Sequence, residues 1–261
     1  MSDILEELSA HRLRDALEAE KRRPFAELMR RIERMAPARD FAAAFSGGGV
    51  NIIAELKKAS PSEGVIREDF RHVELAQALE NAGAKALSVL CEPHRFLGSA
   101  AYLSEVRQAV DLPLLYKDFI LSRYQIAEAR ATGADAVLLI AAILDDEALA
   151  SLMAFAADVG LAALVETHDA REIERAAACG AKIIGVNSRN LRNFATDVSL
   201  LEELVAKIPA GRVRIAESGM HGADDIMRAR RAGADGFLVG TALMRAKNPA
   251  MKLQELANTR G

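Results

Sequence analysis

The sequence predicts an α/β fold of the (β/α)8 TIM-barrel class, preceded by an N-terminal helical extension. Three observations carry that prediction. From residue 51 onward, short apolar runs alternate with amphipathic stretches eight times, roughly 21 to 35 residues from one start to the next, the size of one strand-plus-helix unit. The runs are continuously apolar rather than alternating, as parallel strands covered on both faces require. Gly-Ala pairs at Gly83-Ala84, Gly133-Ala134, Gly180-Ala181 and Gly233-Ala234 recur about 50 residues apart, each closing a helical stretch shortly before a strand. Eight such units in 261 residues fit one closed barrel. A doubly wound open sheet is the alternative, disfavoured by the regular units and by the lack of a dinucleotide fingerprint.

Taken in order, residues 1–48 stand outside the repeat. Ile4, Leu5, Leu8 and Leu13 mark one helix; Pro24 starts a second, with Phe25, Leu28, Met29 and Ile32 on its apolar face. Lys21-Arg22-Arg23 reads as a solvated basic face. Ser46-Gly47-Gly48-Gly49 is a joint into the first strand, and an extension of this length suffices to cover one mouth of a barrel occupying 49–261. The strands follow at NIIAEL (51–56), ALSVL (86–90), LPLLYK (112–117), AVLLI (136–140), AALVE (162–166), IIGVN (183–187), VRIAE (213–217) and GFLVG (236–240).

Composition narrows the partners. A net charge of −3 gives no electrostatic reason to expect nucleic acid. The apolar run Ala136–Leu144 is far shorter than the ~20 residues of a membrane span. Asp3, Glu6 and Glu7 replace the basic start of a secretion signal. Cys91 and Cys179 lack metal or redox spacing and read as reduced thiols. The chain is read as soluble and cytoplasmic.

Barrel enzymes place their chemistry at the C-terminal ends of the strands. Here those ends carry Glu55 and Lys57, Lys117, Glu166, Asn187 followed by Arg189, and Glu217. Any one is unremarkable at a strand end, but five strands delivering polar groups to one face point to a convergent site. Alternation puts Glu55 and Lys57 on one face of the first strand. Lysines are protonated at neutral pH and can donate; a second lysine nearby is expected to lower the pKa of the first while glutamates hold the ammonium forms, and glutamates beside ammoniums are expected to stay ionised. That set supports general acid–base work. No serine–histidine–acid triad and no metal-ligand cluster is evident. His94 and His168, just past strand ends, read as bystanders. Ser218-Gly219 and Gly240-Thr241 follow the last two strands, where barrels often hold phosphate with freed backbone N–H groups and a short helix N-terminus. Ser60 offers a hydroxyl from a neighbouring loop, and that loop, with Pro61 and Gly64, reads as a lid.

E55-L-K-K-A-S-P-S62 resembles the signature of the indole-3-glycerol-phosphate synthase family. The similarity continues through F96-L-G-S99, L115-Y-K-D-F-I-L121, L164-V-E-T-H168, I184-G-V-N-S-R-N-L191, A216-E-S-G219 and V239-G-T241, and covers the whole chain in order. The resemblance implies conversion of 1-(2-carboxyphenylamino)-1-deoxyribulose 5-phosphate to indole-3-glycerol phosphate, with loss of carbon dioxide and water and without a cofactor. It implies that Lys117 is the acid of ring closure, and Glu166 the acid/base of dehydration. Lys57 would steer the substrate carboxylate and phosphate, and the division of acid roles between the two lysines stays open. Glu55 and Asn187 would orient these groups, and Glu217 would face the anthranilate part. Ser60, Ser218, Gly219, Gly240 and Thr241 fall at phosphate positions. Phe96, Phe119 and Leu191 would line the aryl pocket, and Arg189 would hold the mobile loop or substrate. Cys91 stands where relatives often have threonine, and Thr241 where many have serine. Association with other tryptophan-pathway enzymes is left open. Two rivals, another phosphate-binding barrel isomerase and a Schiff-base aldolase using Lys117, share some of these features.

Overall fold

A strand covered on both faces sends successive side chains alternately inward and outward, so each strand of a closed barrel contributes to two cores. The computed structural model describes residues 4–188 and 198–259. Its strands are β1 (Ile52–Leu56), β2 (Ala86–Leu90), β3 (Leu114–Lys117), β4 (Ala136–Ile140), β5 (Ala162–Thr167), β6 (Ile183–Asn187), β7 (Val213–Glu217) and β8 (Gly236–Val239). Each pairs in parallel with the next, and β1 pairs with both β2 and β8 to close the ring. The predicted runs match these strands to within two residues at either end.

Outward side chains such as Ile52, Ala54, Tyr116, Val137, Val165 and Phe237 pack against the surrounding helices. Inward ones, including Ile53, Leu115, Leu138, Leu164, Ile183, Ile215 and Leu238, fill the barrel. Each such leucine or isoleucine contributes roughly 1.5–3 kcal/mol by burial. Moving two residues along from Ile53, Leu115, Leu164 and Ile215 reaches Glu55, Lys117, Glu166 and Glu217 on the same inner face. The barrel is therefore apolar below and charged at its C-terminal mouth. The Gly-Ala helix stops are real: Gly83, Gly133, Gly180 and Gly233 have φ of 99°, 101°, 87° and 102°, the left-handed region that glycine enters without strain.

The extension forms α1 (Ile4–Arg22) and α2 (Phe25–Ile32). In α1 the buried face is Leu5, Leu8, Arg12 and Ala16. Leu13, which also marks this helix in the sequence, lies about 100° further round from Arg12 and is 41% exposed. The Arg12 guanidinium instead grips Asp118, just past β3, with Nε at 2.8 Å and Nη2 at 2.6 Å. Beyond α2, Phe41 and Phe45 are buried, their rings 5.3 Å apart. They join Leu5 and Leu8 in the same interior cluster. A Cβ on Gly236, where β8 begins, would fall 2.7 Å from the Phe45 ring. So the extension reaches both ends of the barrel, where the sequence suggested one.

The segment after β1 also differs from expectation. Rather than an irregular loop, Ala59–Ser60 and Gly64–Val65 pair as a small antiparallel hairpin. Arg67 ties its base to the carbonyls of Met244 and Ala246 at 3.0 and 3.1 Å.

Candidate active site

Strand ends converge on an open cavity of about 1010 Å³ at the C-terminal mouth. Glu55, Lys57, Ser60, Lys117, Glu166, Asn187, Glu217, Ser218, Gly219, Gly240 and Thr241 all line it, as do Phe96 and Phe119. Arg189 and Leu191 lie outside the described residues.

Two ion-pair groups stand in the cavity. Lys57 Nζ lies 2.8 Å from Glu55 Oε1. Lys117 Nζ donates to Glu166 Oε2 at 3.0 Å and to Glu217 Oε2 at 2.7 Å. All five groups are nearly buried, which charged side chains tolerate only when paired. Two glycines make room. A Cβ at Gly240 would fall 2.2 Å from Glu55 Oε1, and one at Gly185 would fall 2.1 Å from Glu217 Oε1. These positions need glycine for close approach, not for backbone conformation.

The electrostatics decide between two expected effects on Lys117, a nearby lysine that lowers its pKa and glutamates that hold its ammonium form. Burial does disfavour the Lys117 ammonium, but Glu166, Glu217 and Glu55 outweigh it and hold the lysine protonated well above the ordinary range. The glutamates were expected to remain ionised. Glu166 does: burial raises it, yet Lys117 and His168 together pull it below the usual carboxylate range. Glu217 does not. Burial, opposed by Lys117 and reinforced by Glu166, pushes it up to about 7. The site thus holds one firm cation, one firm anion and one carboxyl poised to carry a proton near neutrality.

Beside the charges, Leu5, Phe96, Phe119, Leu138 and Ile140 give the cavity apolar lining, with Ile140 paired in register with Glu166. The Phe96 and Phe119 centroids lie 6.3 Å apart. Phe96 is set by its loop: the buried Glu92 carboxylate accepts the N–H groups of His94, Arg95 and Phe96 at 2.7, 2.7 and 2.8 Å. Gly98 passes so close to the Leu90 carbonyl that a Cβ would sit 2.3 Å from its oxygen. At the other rim, Ser218 and Gly219 both have positive φ, 64° and 75°. Helix Thr241–Arg245 starts at Gly240, beside Lys57.

Sequence reasoning missed Leu5, Glu92, Asp118 and Gly185, and named Gly240 for phosphate but not for the space it leaves Glu55. The signal for Gly185 was present, a glycine in the middle of an apolar strand run. Arg12–Asp118 left none, since the partners are 106 residues apart.

Comparison with known proteins agrees along the full length. The family model described as indole-3-glycerol phosphate synthase matches residues 5–256. The indole-3-glycerol phosphate synthase of Laribacter hongkongensis is 46% identical over 98% of this chain and 99% of its own. That of Acidithiobacillus ferrooxidans is 45% identical over the same shares. Among solved structures, thiamine phosphate pyrophosphorylase from Pyrococcus furiosus superposes with a TM-score of 0.59 at 18% identity, covering 79% of this chain and 93% of its own. Mandelate oxidase with (S)-2-phenylpropionate gives 0.62 at 15%, covering 90% and 91%. Those two share the barrel fold alone. On the matched model and the relatives together, the chain belongs to the indole-3-glycerol phosphate synthase family.

Proposed function

We propose that this cavity converts 1-(2-carboxyphenylamino)-1-deoxyribulose 5-phosphate to indole-3-glycerol phosphate, as a carbon–carbon lyase of tryptophan biosynthesis. The observation that supports the assignment of roles is the Lys117 ammonium held between Glu166 and Glu217. As the ring carbon bearing the carboxylate attacks the ketone, negative charge builds on the ketone oxygen, and Lys117 supplies the proton. The ring nitrogen becomes an iminium and takes up the electron pair released when carbon dioxide leaves. Loss of the hydroxyl as water and of a ring proton then completes the indole, with Glu166 exchanging protons in that step. Lys57, oriented by Glu55, steers the carboxylate and phosphate and is the second candidate acid. Asn187 orients the same groups, and Glu217 faces the anthranilate ring.

Phosphate is assigned to Ser60, Ser218, Gly219, Gly240 and Thr241, all of which line the cavity. The aryl ring is assigned to Phe96 and Phe119. Residues 1–48 serve the same site as an extension of a single barrel domain, through Leu5 in the cavity wall. A Schiff-base aldolase would need a neutral Lys117, and the carboxylates around it oppose that. Among the described residues no helix is long and apolar enough to cross a membrane. A cytoplasmic location, with weak association with other enzymes of the pathway, completes the proposal; co-sedimentation tests the association.

Appearance of indole fluorescence tests the reaction directly, and its failure with folded protein removes the proposal. Lys117→Ala is expected to lower kcat by about 10²–10⁴ with KM largely kept. Thr241→Ala is expected to raise KM instead; equal kcat losses in the two variants would contradict the roles assigned.

A further inference from the structure

His168 follows β5 and is absent from the cavity wall, yet it is built into the site from behind. Asp169 caps helix Ala170–Ala178 by accepting the Glu172 N–H at 2.8 Å. Glu172, in the first turn, reaches back so that its Oε2 accepts the His168 N–H at 2.7 Å and lies 3.3 Å from Nδ1. Thr167, between the two site residues, donates to the Gly185 carbonyl at 2.8 Å and pins the end of β5. The ring's other nitrogen, Nε2, lies 3.3 Å from Glu166 Oε1. It is buried and has no aligned hydrogen-bond acceptor. Glu166 is thus approached on one oxygen by Lys117 and on the other by the imidazole.

We infer that the His168 imidazolium, clamped by Glu172, is a positioning residue that fixes the Glu166 carboxylate. It holds Oε1 so that Oε2 faces Lys117 and the substrate. This rests on the reading of Glu166 as the group that moves protons. Two carboxylates facing one ring favour its charged form. Burial works against that charge, but Glu166 from β5 and Glu172 from the following helix outweigh it and lift the ring to about 10. Lys117 and Glu217 act on the far side of Glu166.

The test measures kcat, KM and the pH dependence of turnover for His168→Ala, His168→Gln, Glu172→Gln and Glu166→Gln. His168→Ala is expected to lose about tenfold to a hundredfold in kcat, less than a direct acid–base group, with KM within about threefold. Its acid limb moves to higher pH, because Glu166 loses a neighbouring cation. His168→Gln, which restores an N–H donor, recovers part of the rate, and Glu172→Gln shifts the limb in the same direction by less. Wild-type kcat and an unmoved limb in folded His168→Ala overturn the inference. Should that variant not fold, the wild-type ring decides by its 15N resonances. Both nitrogens protonated at about pH 8 is the expected result, and a neutral ring there overturns it. Inactive Glu166→Gln with intact His168→Ala removes the positioning role alone. An active Glu166→Gln removes the reading of Glu166 itself.

Discussion

Glu217 leans back along β7 until its Oε1 occupies the space a side chain on Gly185 would take, 2.1 Å from the ideal Cβ. Its other oxygen holds Lys117 at 2.7 Å. A methyl group at 185 must therefore displace the carboxyl and break the lysine's contact, since little else near the end of a buried strand can move. Gly185→Ala is expected to lower kcat at least about tenfold while shifting stability by no more than about 1–3 kcal/mol. Parallel kinetics and denaturant unfolding check the split. A large stability loss with normal kcat would show that the backbone yields instead. At this scale the charged residues were legible because an ionisable group at the end of an apolar strand stands out. What surrounds them was not. Glu92, buried to hold a loop, looks in the sequence like any surface glutamate, and His168 looks like a loop histidine until Glu166 and Glu172 are placed on either side of it.

Helix α1 is latched to the barrel mouth by charges. Besides Arg12–Asp118, Asp15 meets His94 Nε2 at 2.7 Å and Glu7 meets Arg95 at 2.8 Å. The last two pairs are partly exposed, screened by solvent, and contribute little. The first is different, because the Asp118 side chain is fully buried and neighbours Lys117. Arg12→Ala removes the cation from that buried carboxylate, which keeps the Phe119 N–H at 2.8 Å, and is expected to destabilise by about 3–5 kcal/mol. The double variant Arg12→Met/Asp118→Asn recovers part of the loss, as chemical denaturation of both will measure. Strands and helix stops were readable throughout, since apolar runs and left-handed glycines are local properties. The hairpin at 59–65 and the face of α1 were not. Both depend on what they pack against, and a buried arginine breaks the apolar pattern from which a helix face is inferred.

For the whole molecule, pH acts through the same buried groups. His168 has a folded pKa of about 10 against about 6.5 for a free histidine, so the folded state binds the extra proton between those values. Its stabilisation is complete below about pH 6.5 and is lost as pH rises through about 10. Glu166, held low, contributes above the ordinary carboxylate range and loses its contribution as pH falls. Glu217, pushed up to about 7, acts in the opposite sense: its contribution is complete below the ordinary carboxylate range and is lost as pH rises through about 7. The alkaline limb is therefore the cleaner test. Melting temperature is expected to fall between about pH 8 and pH 10 in the wild type and to fall less in His168→Gln. Identical slopes would show that the ring is not held charged. The stopper formed by Phe41 and Phe45 has a further consequence for how the chain matures. These residues leave the ribosome long before Gly236, against which Phe45 packs, and before the Asp235 carbonyl, which accepts from Asn51 at 2.9 Å. Until β8 emerges, two phenylalanines destined for the interior have no completed pocket, so this end of the barrel stays unsealed while the seven preceding strands are made.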